Sequence, residues 1–89
     1  MLFVISSSPD TQEFKTALSL AKDSDLCLIH DAVYFTREEK TPVKGTVYAI
    51  RDDLSLRGIT ETRLPGLKII DHTEMIDLMA QAEKVAGAF

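Results

Sequence analysis

The sequence predicts an α/β domain of three layers, with a small, mostly parallel sheet of about four strands between flanking helices. Three observations predict it. Short, largely apolar runs at residues 2–5, 26–29, 46–50 and 67–70 read as strands, the first two with the uninterrupted apolarity of strands buried on both faces. Segments of helical periodicity alternate with them. Polar or breaker segments separate the two, as strand–helix–strand crossovers require. With 89 residues the chain makes one domain, residues 1–89, near the lower size limit of a self-sufficient core.

Residues 2–5 form the first strand, and Ser6, Ser7 and Ser8 stop it. Ser8 before Pro9 reads as a helix N-cap, with Asp10 and Glu13 favoured by the dipole of the first turn. Phe14, Ala17, Leu18 and Ala21 recur at i, i+3, i+4 and i+7, one amphipathic face of a helix ending near Lys22. Residues 25–34 organise the chain: an apolar run holding the single cysteine, then the polar pair His30 and Asp31, then Val33, Tyr34 and Phe35. Residues 36–40 suit a short helix or a loop, and residues 41–45, with Pro42 and Gly45, break regular structure. After the strand at 46–50, Arg51, Asp52 and Asp53 cap a short helix over residues 54–57, and Gly58 takes a left-handed C′ position. Residues 60–66 are a polar loop before the fourth strand. Asp71 and Glu74 have the spacing of a capping box. Met75, Ile76, Met79, Ala82 and Val85 trace the face of a last helix. The tail, residues 86–89, is either a frayed end or a docked one.

Composition narrows the function. The chain carries 14 acidic against 10 basic residues, a net charge of −4, which opposes nucleic-acid binding by this chain alone. A local patch from Arg51, Arg57 and Arg63 stays open. The apolar start lacks a basic region and is too short for a signal peptide or membrane span, so the expected compartment is the cytoplasm, away from membranes. One cysteine cannot form an internal disulfide, in keeping with a reducing compartment. A sheet this small leaves apolar edges, so association with another subunit is expected.

If the strands are parallel, their carboxyl ends share one edge, where open α/β sheets place their sites. That edge would gather residues 6–8, His30 and Asp31, Arg51, Asp52 and Asp53, and Asp71 and His72. Two His/Asp pairs have the residue types of a metal or acid/base site, but Asp52 and Asp71 are expected to cap helices, and metal sites show tighter ligand spacing. The sequence therefore assigns no metal, no cofactor and no catalytic residue. A serine run before a helix can bind an anion, yet there is no glycine-rich loop and no P-loop lysine, and capping is the simpler role. Cys27 sits mid-strand between Leu26 and Leu28, where a thiol behaves as a small hydrophobe rather than a nucleophile. Tyr34 and Phe35 either close over the core or anchor a subunit interface.

Four segments, in order and over nearly the whole chain, resemble the DsrH/TusB family of sulfur-relay proteins. They are Met1-Leu2 with Ser8-Pro9; His30-Asp31-Ala32-Val33-Tyr34; Val47-Tyr48-Ala49-Ile50-Arg51-Asp52-Asp53-Leu54 with Arg57-Gly58; and Ile69-Ile70-Asp71 running into Met75-Ile76-Asp77-Leu78. The resemblance implies the smallest of three related subunits, beside DsrE/TusD-like and DsrF/TusC-like partners, in a cytoplasmic hexamer. In the Tus system that complex relays persulfide sulfur toward tRNA 2-thiolation at the wobble uridine; in the Dsr system it serves sulfur oxidation. The main sulfur-accepting cysteine belongs to the DsrE/TusD subunit. Some DsrH members add a cysteine on the first helix, and residues 14–20 here contain none. Ala32, His72 and Met75 stand where the family tends to have glycine, tyrosine and phenylalanine. The implied role is an accessory, non-catalytic subunit whose contact surface includes His30, Asp31, Val33, Tyr34, Phe35, Arg51, Asp52, Asp71 and His72. The alternative is a homodimer that binds a small ligand, or works as an enzyme, through His30, Asp31, Asp71 and His72.

Overall fold

The computed structural model describes residues 1–40 and 43–87. Along the chain lie β1 (Leu2–Ile5), α1 (Gln12–Leu20), β2 (Asp25–Leu28), a 3-10 helix (His30–Arg37), β3 (Val47–Ile50), α2 (Arg51–Leu56), β4 (Lys68–Ile70), α3 (His72–Gln81) and β5 (Val85–Ala86). All pairings are parallel, in the order β4-β3-β2-β1-β5. Ile5 stands opposite Leu28, Leu28 opposite Ala49 and Ile50 opposite Ile70, so the carboxyl ends are level.

Alternation along the strands divides the core in two. Phe3, Ile5, Leu26, Leu28, Val47 and Ala49 face one way. They meet Phe14, Ala17 and Ala21 from the first helical segment, Ala32 and Val33 from the 3-10 helix, and Leu54 from α2. Leu2, Cys27, Ile50 and Ile70 face the other way, where among the described residues α3 covers them, through Met75, Leu78 and its C-cap Ala82. The layers are the expected three, but unequal: no residue of α3 is fully buried.

Several local expectations need correction. The sheet has five strands, not about four. After Gln81 the chain turns extended at Ala82. The Lys84 carbonyl then accepts the Leu2 N–H at 2.9 Å, which draws Val85 and Ala86 alongside β1. Val85 is thus a strand residue, not part of a helical face. A strand of two residues is too short to leave a periodicity. On α3 itself Ile76 is 63% exposed and Met79 37% exposed; the residue that joins Met75 on the sheet side is Leu78.

Helix α1 starts later than Ser8 suggests. Thr11 is its N-cap, its hydroxyl accepting from the Phe14 N–H at 3.2 Å. Ser8 donates to Asp10 instead, at 2.6 Å, and this hydrogen bond holds the Asp10 carboxyl below its usual range. Helix α2 begins at Arg51 directly, with Ile50 in the cap position and no side-chain cap, so neither Asp52 nor Asp53 is a cap. Gly58 has φ +67°, as a C′ glycine should. The breaker at 41–45 and the tail at 86–89 fall partly outside the described residues.

Candidate functional site

The carboxyl edge is built where β2 gives way to the 3-10 helix. Ile29 still follows the sheet, its N–H donating to the Ile5 carbonyl at 2.9 Å. His30 then turns left-handed, with φ +49°, a conformation in which histidine is enriched among non-glycine residues. That turn points the His30 N–H at a neighbouring element, and the Asp53 carboxylate accepts it at 2.9 Å. The Ala32 N–H donates back to the Ile29 carbonyl, opening the helix.

Arg57 ties the same corner together. Its Nε donates to Asp31 Oδ1 at 3.0 Å, and its Nη1 donates to the Asp53 carbonyl at 3.2 Å and lies 3.7 Å from Asp53 Oδ1. The arginine side chain is 20% exposed and that of Asp53 9%, so water screens this ion pair less than one at the surface. Asp53 and Arg57 are the structural centre of the edge; the sequence places Asp53 at the edge and Arg57 in a local basic patch, but puts neither among the contact-surface residues. Their spacing of i and i+4 was the available signal.

The adjacent Asp52 turns the other way. His72 Nδ1 lies 3.7 Å from its Oδ2, with side chains 54% and 72% exposed; this is a loose contact, attractive only when the imidazole is protonated. Asp71 and Glu74 form the expected capping box: Asp71 Oδ1 accepts from the Glu74 N–H at 2.7 Å, and Glu74 Oε1 from the Asp71 N–H at 3.2 Å. Helix α2 thus lies between the two His/Asp pairs, with Asp53 bonded to one and Asp52 beside the other. Among the described residues no group of three or more His, Cys, Asp or Glu could hold a metal ion.

The aromatic pair divides. Phe35 packs on Phe14 with ring centroids 5.0 Å apart, so it closes the core. Val33 is 0% exposed and cannot serve as the surface contact expected of it. Tyr34 is 39% exposed, and His30, Asp31, Arg51 and Asp52 are also open to solvent. Cys27 is fully buried; burial first, and the Asp53 charge second, push its thiol up to about 12. It has neither the exposure nor the thiolate character of a reactive cysteine. No described helix is long and apolar enough to cross a membrane.

The family model described as "DsrH like protein" matches residues 6–85. The chain belongs to the DsrH-like family. Solved structures share its fold, two of them as follows. The ychN protein from E. coli superposes with a TM-score of 0.80 at 20% identity, covering 98% of this chain and 97% of that one. Protein Tm0979 from Thermotoga maritima superposes with a TM-score of 0.70 at 30% identity, covering 94% and 97%. No curated protein matches the chain significantly. The DsrH-like match spans the 3-10 helix, α2 and the capping box of α3, and so takes in all the edge residues described above.

Proposed function

We propose that this chain is a non-catalytic subunit of a TusBCD/DsrEFH-like sulfur relay complex in the cytoplasm, one whose end product is 2-thiolated wobble uridine in tRNA. It works by binding DsrE/TusD-like and DsrF/TusC-like subunits, with no direct grip on nucleic acid. The observation that supports this reading is the combination of DsrH-like membership with a single cysteine sealed in the core. A persulfide carrier needs a thiol that a donor can reach and that ionises; Cys27 offers neither. Sulfur therefore rides on another subunit, and this one contributes surface.

The contact surface we assign is the exposed part of the carboxyl edge: His30, Asp31, Tyr34, Arg51 and Asp52, with Asp71 and His72 beside them. Tyr34 suits an anchor, since tyrosine is enriched where interfaces are tightest. A tagged chain expressed in its native cell should co-purify with both a DsrE-like and a DsrF-like protein, and Tyr34→Asp should cut that recovery at least tenfold. Recovery of the chain alone, or as a self-dimer by light scattering, overturns the heteromeric complex.

A further inference from the structure

Beside the 3-10 helix lies a cleft of about 440 Å³ whose lining includes Tyr34, Arg37, Arg57, Thr60, Glu61 and Arg63. The chain has four arginines in all, and three of them line this one cleft. No lysine does. We propose that this arginine cleft binds a phosphate group, either free or carried by a small molecule.

The three guanidinium groups differ in freedom. Arg57 is the fixed one, four-fifths buried, with Nε on Asp31 and Nη1 on the Asp53 carbonyl, so it offers an oxyanion only its remaining N–H groups, held in one orientation. Arg37 makes no ion pair with any described residue. Arg63 is paired with Glu39 at 3.4 Å, but with side chains 64% and 77% exposed that pair is weak and open to exchange. Glu61 also lines the cleft, and with Glu39 it sets the selectivity: a ligand must carry more than one negative charge to displace them, which a phosphate does and a lone carboxylate does not. Bidentate arginine contacts match phosphate geometry. The Tyr34 and Thr60 hydroxyls add neutral donors to the same lining. The volume suits a small organic ligand. The net charge of −4 repels a polyanion such as RNA, while a small phosphate needs only the arginine donors of the cleft. The site involves no thiol, but Tyr34 belongs both to its lining and to the proposed subunit contact, so binding is tested on the isolated chain, where failure of the site and failure of the relay reading are distinguishable.

Nitrogen-15 NMR titrations of the isolated chain at fixed ionic strength test it, with inorganic phosphate in one arm and AMP in the other. Saturating shifts should concentrate on the amides of Tyr34, Gly58, Ile59 and Thr60. Arg37→Ala and Arg63→Ala should each weaken binding about tenfold, and Lys44→Ala, on the exposed Lys44–Asp23 pair, should leave it unchanged. Equal affinity for the two probes assigns free phosphate as the ligand; tighter AMP assigns a phosphate ester. Failure of both probes to saturate, wild-type binding by both arginine variants, or an equal loss in Lys44→Ala overturns the site.

Discussion

The buried Asp53 carboxylate accepts the His30 main-chain N–H at 2.9 Å across 23 residues of sequence, fastening the start of α2 to the exit of β2. The donor is partly buried and the acceptor is ionised, the case in which losing one partner costs most. Asp53→Ala should lower stability by about 1.5–3 kcal/mol in urea unfolding, because the N–H loses its acceptor and Arg57 loses a neighbouring charge. Asp53→Asn keeps an acceptor oxygen and should cost less than half as much. Equal losses in the two variants would mean that the charge, not the hydrogen bond, carries the corner.

His30 itself holds a left-handed backbone at φ +49°, where a Cβ costs about 1–2 kcal/mol. Its side chain is exposed, so the backbone effect can be read almost alone. His30→Gly should leave stability unchanged or raise it by up to about 1 kcal/mol, and His30→Val should lower it by about 1–2 kcal/mol. In thermal melts His30→Val should lose stability while His30→Gly does not.

Gly45 precedes β3 where the chain passes the start of β2. A Cβ placed on it would collide with the Ser24 carbonyl and with Asp25 Oδ1, and Asp25 Oδ1 accepts the Thr46 N–H at 2.8 Å. The space is closed by main chain, which cannot swing aside. Gly45→Ala should therefore cost about 1–3 kcal/mol. Gly58→Ala, where no atom lies within 4 Å but φ is +67°, should cost about 1 kcal/mol from the backbone alone.

The pattern of residues reveals the fold wherever burial governs it. The runs at 2–5 and 26–29 give β1 and β2 nearly to the residue, Phe14 and Ala17 mark the buried side of α1, and Asp71 with Glu74 mark the start of α3. It misleads where a tertiary contact chooses. Periodicity alone cannot separate Leu78, which packs under the sheet, from Ile76, which lies open, because both are apolar and two positions apart. Ser8 is a good cap by type, but Thr11 lies where the helix begins. The edge was legible as a place, since parallel strands end together. Its working contacts were not: Asp53 and Arg57 matter through a bond to His30 and an ion pair with Asp31, and both partners lie more than 20 residues away along the chain. The arginine cleft shows the same limit. A sequence reading pairs Arg57 and Arg63 with Arg51, and the fold replaces Arg51 with Arg37.

Cys27 gives the last prediction, and its sign follows from burial. The native thiol is pushed from its ordinary value of 9.0 up to about 12, chiefly because a thiolate there would lose its water. In the unfolded chain the group titrates near 9.0. Below about pH 8 both states keep the proton and the shift contributes nothing. Between 9 and 12 the unfolded state releases a proton that the native state retains, so stability falls as pH rises, by about 1.4 kcal/mol for each unit. Tyrosines and lysines titrate in the same window, but they are common to wild type and Cys27→Ala. The variant should be less stable at pH 7.5, by about 1 kcal/mol of lost packing. By pH 10 it should recover about 1.4 kcal/mol relative to wild type in urea unfolding. Asp53→Asn removes the second cause of the shift, so in that variant the decline keeps its slope but ends at a slightly lower pH. A bulky maleimide at pH 8 should label the native protein no faster than the chain opens globally. Rapid labelling, or identical pH dependence in wild type and Cys27→Ala, would return Cys27 to the list of groups able to carry sulfur.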